Sequence, residues 1–161
     1  MRVTDKHILF WGEWLSNFYT SPFTDDRGIR FFCVEQYFMF EKAIKFKDHD
    51  TASQILRVKE PKEAKKLGRK VRGYDDTIWA ECREKVMLDG LYFKFTQNKG
   101  LKKTLTQPEW KDKHFVEASP YDRIWGIGLG VDDPKADDEN EWLGQNLLGK
   151  CLDKVRDSLY M

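Results

Sequence analysis

Cysteine and histidine are scarce in this chain of 161 residues, with three of each. Cys33, Cys82 and Cys151 form an odd, widely spaced set without the close pairings that build zinc sites, so free thiols are expected. His7, His49 and His114 are equally scattered, and no His/Cys/acid group has metal-ligand spacing; no metal or other cofactor is expected. Net charge is almost absent as well, 28 Lys+Arg against 27 Asp+Glu giving a formal +1. That balance argues against a whole-molecule electrostatic grip on DNA or RNA but leaves room for a local basic patch. No apolar run approaches the roughly 20 residues of a membrane span, and Met1–His7 leads into no signal-peptide core. A cytoplasmic setting without membrane attachment follows as the expectation. Repeats, low-complexity blocks and Ser/Pro/Gly-rich linkers are missing too, so residues 1–161 are expected to form one domain.

What the chain does have is apolar content, 40% hydrophobic and 14% aromatic. A chain of this length typically buries roughly 70% of the surface its unfolded form exposes, enough for a core without staples. Ile8–Trp11 is a short apolar run, and Thr24–Gly28 is a turn before Ile29–Phe32. A small antiparallel hairpin fits both strands. From Val34 to about Phe46 the spacing of Val34, Tyr37, Phe38, Ala43 and Ile44 predicts a helix, apolar round most of its circumference and therefore buried. Asp50 is expected to cap a helix over Thr51–Val58, and Pro61 to start one over Lys62–Leu67 that Gly68 stops.

Asp75 or Asp76 opens the longest helix candidate, with Trp79, Cys82, Val86, Gly90 and Phe93 on the expected core stripe. Asn98 is placed to cap a short helix through Leu101 and Leu105, His114–Ala118 reads as a strand, and a final helix runs from about Gly144 to Leu159. Helices outnumber strands without regular alternation. The expected class is α+β, a mainly helical single domain with a small, mostly antiparallel sheet.

Candidate chemistry starts in the Val34 helix. Glu35 lies in its first turn and Lys42, seven positions on, returns to nearly the same azimuth, so a carboxylate and an ammonium share a greasy wall. The plainer alternative is a Glu that complements the helix N-terminus and a solvated Lys. Crowding by Phe31, Phe32, Tyr37 and Phe38 favours a functional role: apolar surroundings raise a carboxylate pKa while the helix N-terminus lowers it, and either form suits a developing cation or a proton in transit.

A second group runs from Tyr121 to Gly130. Gly126, Gly128 and Gly130 allow close approach of backbone to ligand, Trp125 offers a stacking face and Asp122 supplies an acid; the glycine spacing does not match a dinucleotide fingerprint. Asn146, near a helix start, is either a cap or a donor to phosphate or sugar. Asn17 sits among aromatics, as a turn former or a buried amide seeking partners. Arg57 to Arg72 carries eight basic residues and two acids, with Arg69 after the Gly68 stop best placed for phosphate. The acidic stretch from Asp132 to Glu141 lacks the alternating spacing of a calcium loop and is expected to be mobile and solvated.

Val34-Glu35-Gln36-Tyr37-Phe38 with Lys42, Leu67-Gly68-Arg69, Ile78-Trp79, the Asp122–Gly128 run and Gly144-Gln145-Asn146-Leu147-Leu148-Gly149 together resemble, in that order, the NADAR family with its YbiA-like members. The resemblance spans about Leu9 to Arg156. It implies an N-glycosidase acting on early phosphorylated intermediates of riboflavin biosynthesis in one branch, and on ADP-ribose attached to guanine in others. By position, Glu35 resembles the family's essential glutamate, Asp122 its downstream acid, and Trp79 and Trp125 its aromatic site residues. Asn17, Lys42, Arg69, Gly126 and Asn146 match ligand-lining positions. The chain departs from the YbiA-like pattern at Ile127, where some bacterial members carry an acid, and in its longer acidic stretch. Expected partners are therefore a small ribosyl-phosphate or ADP-ribosyl compound and, through the basic stretch, ADP-ribosylated nucleic acid. The alternative is a non-catalytic module that binds NAD or ADP-ribose derivatives.

Overall fold

The computed structural model describes residues 1–160, and the chain divides into two compact units, residues 1–16 with 99–160, and residues 17–98. In chain order the elements are β1 (Arg2–Val3), β2 (His7–Phe10), β3 (Phe23–Thr24), β4 (Arg30–Phe31), α1 (Val34–Lys45), α2 (His49–Arg57), α3 (Pro61–Gly68), α4 (Asp76–Gln97), α5 (Lys99–Leu105), β5 (His114–Glu117) and α6 (Leu147–Ser158), with short 3-10 turns between them. The class is α+β, as the sequence pattern implies.

In the first unit β2 is buried throughout and forms the centre of a three-stranded sheet ordered β1-β2-β5. It runs antiparallel to β1, with Arg2 opposite Leu9, and parallel to β5, with His7 opposite His114 and Phe10 opposite Glu117. The expected hairpin between Ile8–Trp11 and Ile29–Phe32 is not formed. Strand β4 instead closes on β3 across the Thr24–Gly28 turn, where the buried Asp25 carboxylate accepts the N–H groups of Arg27 and Ile29 and Gly28 takes φ +82°. A four-residue turn closes locally, whereas pairing Ile8 with Ile29 requires a loop of about 20 residues to be ordered.

Helix α6 covers β5. Asp153 accepts the Phe115 N–H, and the buried Arg156 guanidinium lies over the Phe115 ring while donating to the carbonyls of Trp110 and Lys113. The acidic stretch is anchored, contrary to expectation. It folds as two 3-10 turns, Pro134–Asp137 and Glu139–Glu141, opened by the side chains of Asp133 and Asp138. Ala136 enters a core of Leu9, Val116, Ala118 and Ile127, and Trp142 packs against it with its indole N–H on the Ala136 carbonyl. One well-placed alanine and one tryptophan hold what the surrounding charges disguise as a solvated loop.

In the second unit α1 is buried along most of its length, as its wide apolar circumference requires. Its Tyr37 meets Phe31 edge-on at 5.2 Å and sits over Gly90 of α4, where an added Cβ would lie 2.9 Å from the ring. Gln36 ties three elements, accepting from the Phe32 N–H and donating to the Ile55 carbonyl. Helix α2 begins two residues before the expected start. Asp48, rather than Asp50, accepts from Thr51 N–H and hydroxyl, and Arg72 adds two further bonds that hold its carboxyl far below the usual carboxylate range. The core stripe of α4 is also displaced from the expected one: Met87, Leu91 and Phe95 are fully buried, whereas Cys82, Val86 and Phe93 are only partly so. No helix among the described residues is long and apolar enough to cross a membrane.

Candidate active site

The residues singled out by sequence fall on both units. Asn17, Glu35, Lys42, Arg69 and Trp79 belong to residues 17–98; Asp122, Trp125, Gly126 and Asn146 belong to the other unit.

In the helical unit, Glu35 occupies the first turn of α1 at 8% exposure, and its backbone N–H donates to the Asn17 carbonyl at 3.0 Å. This bond fixes the segment before α1 against the helix start and brings Asn17 to Glu35. The Asn17 side chain donates from Nδ2 to the Met87 sulfur at 3.5 Å, while its Oδ1 is buried without a hydrogen-bond partner among the described residues. A buried amide oxygen left unmatched is uncommon, and it marks a place where a ligand donor would be stabilised.

Lys42 is half-buried two turns further along α1. Burial pulls its ammonium below the usual lysine range; Arg69 pushes the same way, and Glu35 and Asp76 oppose it. Glu35, Arg69 and Asp76 thus all act on Lys42 through space. The Lys42 ammonium lies 4.4 Å from the centre of the Tyr74 ring, a cation-π contact. The Tyr74 hydroxyl donates to Asp76 at 2.7 Å, and burial together with that bond pushes the phenol up to about 12.

Arg69 stands exposed at the end of α3, where the chain can approach α1 because Gly68 lies against Met39: a Cβ there would fall 1.9 Å from the sulfur. Trp79 is placed otherwise than a stacking platform requires. It is only 5% exposed and packs against Phe38 and Phe46. The exposed aromatic beside Lys42 is Tyr74, which the sequence search passed over; its position just before the Asp75 cap of α4, with Gly73 at φ +76° turning the chain, was the available signal.

In the other unit the recognisable run is a braced loop. Asp122 Oδ1 accepts the N–H groups of Ile124 and Trp125, and the buried Ser119 hydroxyl accepts those of Tyr121 and Asp122. Trp125 is half-buried just beyond this turn. Gly126 is buried against backbone, since a Cβ would lie 2.9 Å from the carbonyls of both Asp122 and Glu117; its smallness serves packing rather than ligand approach. Asn146 is likewise committed. In a left-handed conformation at φ 53° it starts α6, accepting from Glu117 N–H and donating to the Phe115 carbonyl. Its amide is therefore taken by β5, not held out to a phosphate. Gly144 and Gly149 complete the brace, passing so close to the carbonyls of Gly126 and Phe115 that a Cβ would sit 2.3 and 2.0 Å from them.

A cavity of about 710 Å³ in this unit opens among Lys6, His7, His114, Asp137 and Glu139 and is lined by none of the sequence-selected residues. Cys33, Cys82 and Cys151 are thiols, not joined in disulfides.

The model of the NADAR domain matches residues 9–160. Protein irg-1 of Caenorhabditis elegans is 38% identical over 148 residues, covering 91% of this chain and 69% of that protein. An N-glycosidase of Acanthamoeba polyphaga mimivirus is 35% identical over 166 residues, 96% of each chain. The NMR structure of the E. coli protein YbiA superimposes with a TM-score of 0.77 at 28% identity, covering 99% of this chain and 88% of that one. The chain belongs to the NADAR family.

Proposed function

We propose that the protein is an N-glycosidase that hydrolyses the bond between ribose C1 and a base nitrogen in ribosyl-phosphate or ADP-ribosyl compounds, with Glu35 as the key carboxylate. The observation that carries this is the placement of Glu35, 8% exposed on a largely apolar helix and in electrostatic reach of the half-buried Lys42. Its mimivirus relative, an N-glycosidase, aligns over 96% of the chain.

Breaking a ribosyl C–N bond passes through an oxocarbenium-like state. A carboxylate held out of water stabilises positive charge at C1 or activates the attacking water far better than a solvated one. Lys42 and Arg69 supply cations for the phosphate of the substrate, the first held by Tyr74 and the second free at the end of α3. The unmatched Asn17 Oδ1 accepts from a sugar hydroxyl. By position, Asp122, with one oxygen engaged in its turn, matches the family's downstream acid and Trp125 one of its aromatic residues.

Two substrate types fit this chemistry, early phosphorylated riboflavin intermediates and ADP-ribose on guanine. The exposed lysines of α3, Lys62, Lys65 and Lys66, favour docking of a nucleic acid that carries the second. A cytoplasmic enzyme working without a cofactor completes the proposal.

The direct test is incubation with a panel of both substrate types, reading free base by mass spectrometry. Release of base from one of them is the expected result. Tight binding of such compounds with no base released from any of them would replace the enzyme by a binding module.

A further inference from the structure

Ala64 and Gly68 form the buried side of α3, and Gly68 lies against Met39 of α1. Lys42 follows Met39 by three positions, so its stem leaves α1 on the side where α3 ends. Arg69 is the first residue past that end, and it is among the groups that pull the Lys42 ammonium down. One turn back from Arg69 stands Lys65, at the (i, i+4) spacing that brings Cβ atoms to about 6 Å. Three cations thus gather along the line where α3 closes on α1.

Lys65 is not a loose surface lysine. Its ammonium lies 5.8 Å from the centre of the Phe18 ring, a cation-π contact that lowers the cost of ordering the side chain for a ligand. Phe18 directly follows Asn17, whose carbonyl accepts the Glu35 N–H and whose Oδ1 is buried without a hydrogen-bond partner among the described residues. The contact therefore ties Lys65 to the segment that abuts the start of α1. Lys66, equally exposed, is turned to the side of α3 opposite Ala64 and Gly68.

Like charges at (i, i+4) repel, and an anion between them relieves the repulsion. In the same unit Arg27, Arg72 and Lys85 are paired with acids, whereas no ion pair among the described residues takes Lys42, Lys65 or Arg69. One phosphate occupies Lys42 and Arg69 in the proposed function, and Lys65 adds a position for a second phosphate joined to the first.

We infer that Lys65 sets the preference of the site for a diphosphate-bridged ribosyl compound over one that carries a single phosphate, Lys42 and Arg69 holding the first phosphate and Lys65, beside Arg69, the second. The inference rests on the N-glycosidase reading above and chooses between its two substrate types.

The test measures calorimetric binding of adenosine 5′-diphosphate and adenosine 5′-monophosphate, which share base and sugar, to wild type, Lys65→Met, Lys65→Arg and Lys66→Met. A charge-assisted contact to phosphate contributes about tenfold or more in affinity, and wild type is expected to prefer the diphosphate by at least that factor. Lys65→Met should lose most of the preference while binding the monophosphate nearly as before. Lys65→Arg, which keeps the charge and the contact with Phe18, should retain it, and so should Lys66→Met, which removes the same charge from the far side of the helix. The role of Lys65 is overturned by equal affinity of wild type for the two nucleotides, by binding of neither, by an intact preference in Lys65→Met, or by an equal loss in Lys66→Met. Each of those results leaves the N-glycosidase reading standing, which falls only if wild type releases no base from either substrate type.

Discussion

The two units use their recognisable residues in opposite ways. In residues 17–98 the notable side chains hang from helices, and Glu35, Arg69 and Asp76 all act electrostatically on Lys42. In the other unit, Asp122, Gly126, Gly144, Asn146 and Gly149 hold backbone to backbone. The two sets differ in what they engage: the first is a group of charges around Lys42, the second a brace in which an added Cβ would meet backbone. Substitutions in the helical set should therefore change chemistry, and those in the brace should change stability.

The largest stability effect is expected at Gly149→Ala. The new methyl would meet the Phe115 carbonyl at 2.0 Å and the Asn146 amide at 2.4 Å, both fixed, and overpacking of this kind costs about 3 kcal/mol. Urea unfolding measures it, and an unchanged midpoint would show that the brace yields. Asn146→Ala comes next. It leaves Glu117 N–H and the Phe115 carbonyl without partners and puts a Cβ-bearing residue without a helpful amide at positive φ, for about 2 kcal/mol.

In the helical unit stability should respond to pH through Lys94, fully buried in α4, where burial takes its ammonium down to about 7 with Cys33 weakly opposing. Between about pH 7 and pH 10 the unfolded chain holds a proton that the folded one has shed, so stability rises with pH by up to about 1.4 kcal/mol per unit. Below about pH 7 both forms are protonated and this slope disappears. Lys94→Met should flatten the rise, and an identical slope in that variant would assign it to other groups. The smallest effect is expected at Gly68→Ala, roughly 1 kcal/mol. Its Cβ would meet the Met39 sulfur, and a thioether on a flexible stem moves aside where the Phe115 carbonyl does not. A cost as large as that of Gly149→Ala would erase the contrast between the units.

Local chemistry made much of this legible. The start of α1 at Val34, the Pro61 start of α3 and the Asp75 cap of α4 are set by residues within one turn of each other, and the sequence shows all of them. Partnerships across long separations were hidden. Nothing near Ile8 announces β5 more than a hundred residues away, and nothing near Asp48 announces the two bonds it accepts from Arg72. For the candidate site, Glu35 and Lys42 were legible as neighbours because helical geometry fixes their azimuths. Trp79 was not: an aromatic looks the same in sequence whether its face is open or covered by Phe38 and Phe46. Asn146 was equally opaque, since both its roles require a polar amide at a helix start.

The account stands most directly on the Glu35 carboxylate. Glu35→Gln keeps the size and the buried position but removes the charge. Measured beside wild type on a substrate from which wild type releases base, the variant should release none while binding the nucleotide within about tenfold, roughly 1.4 kcal/mol. Base release by Glu35→Gln at the wild-type rate would contradict the account.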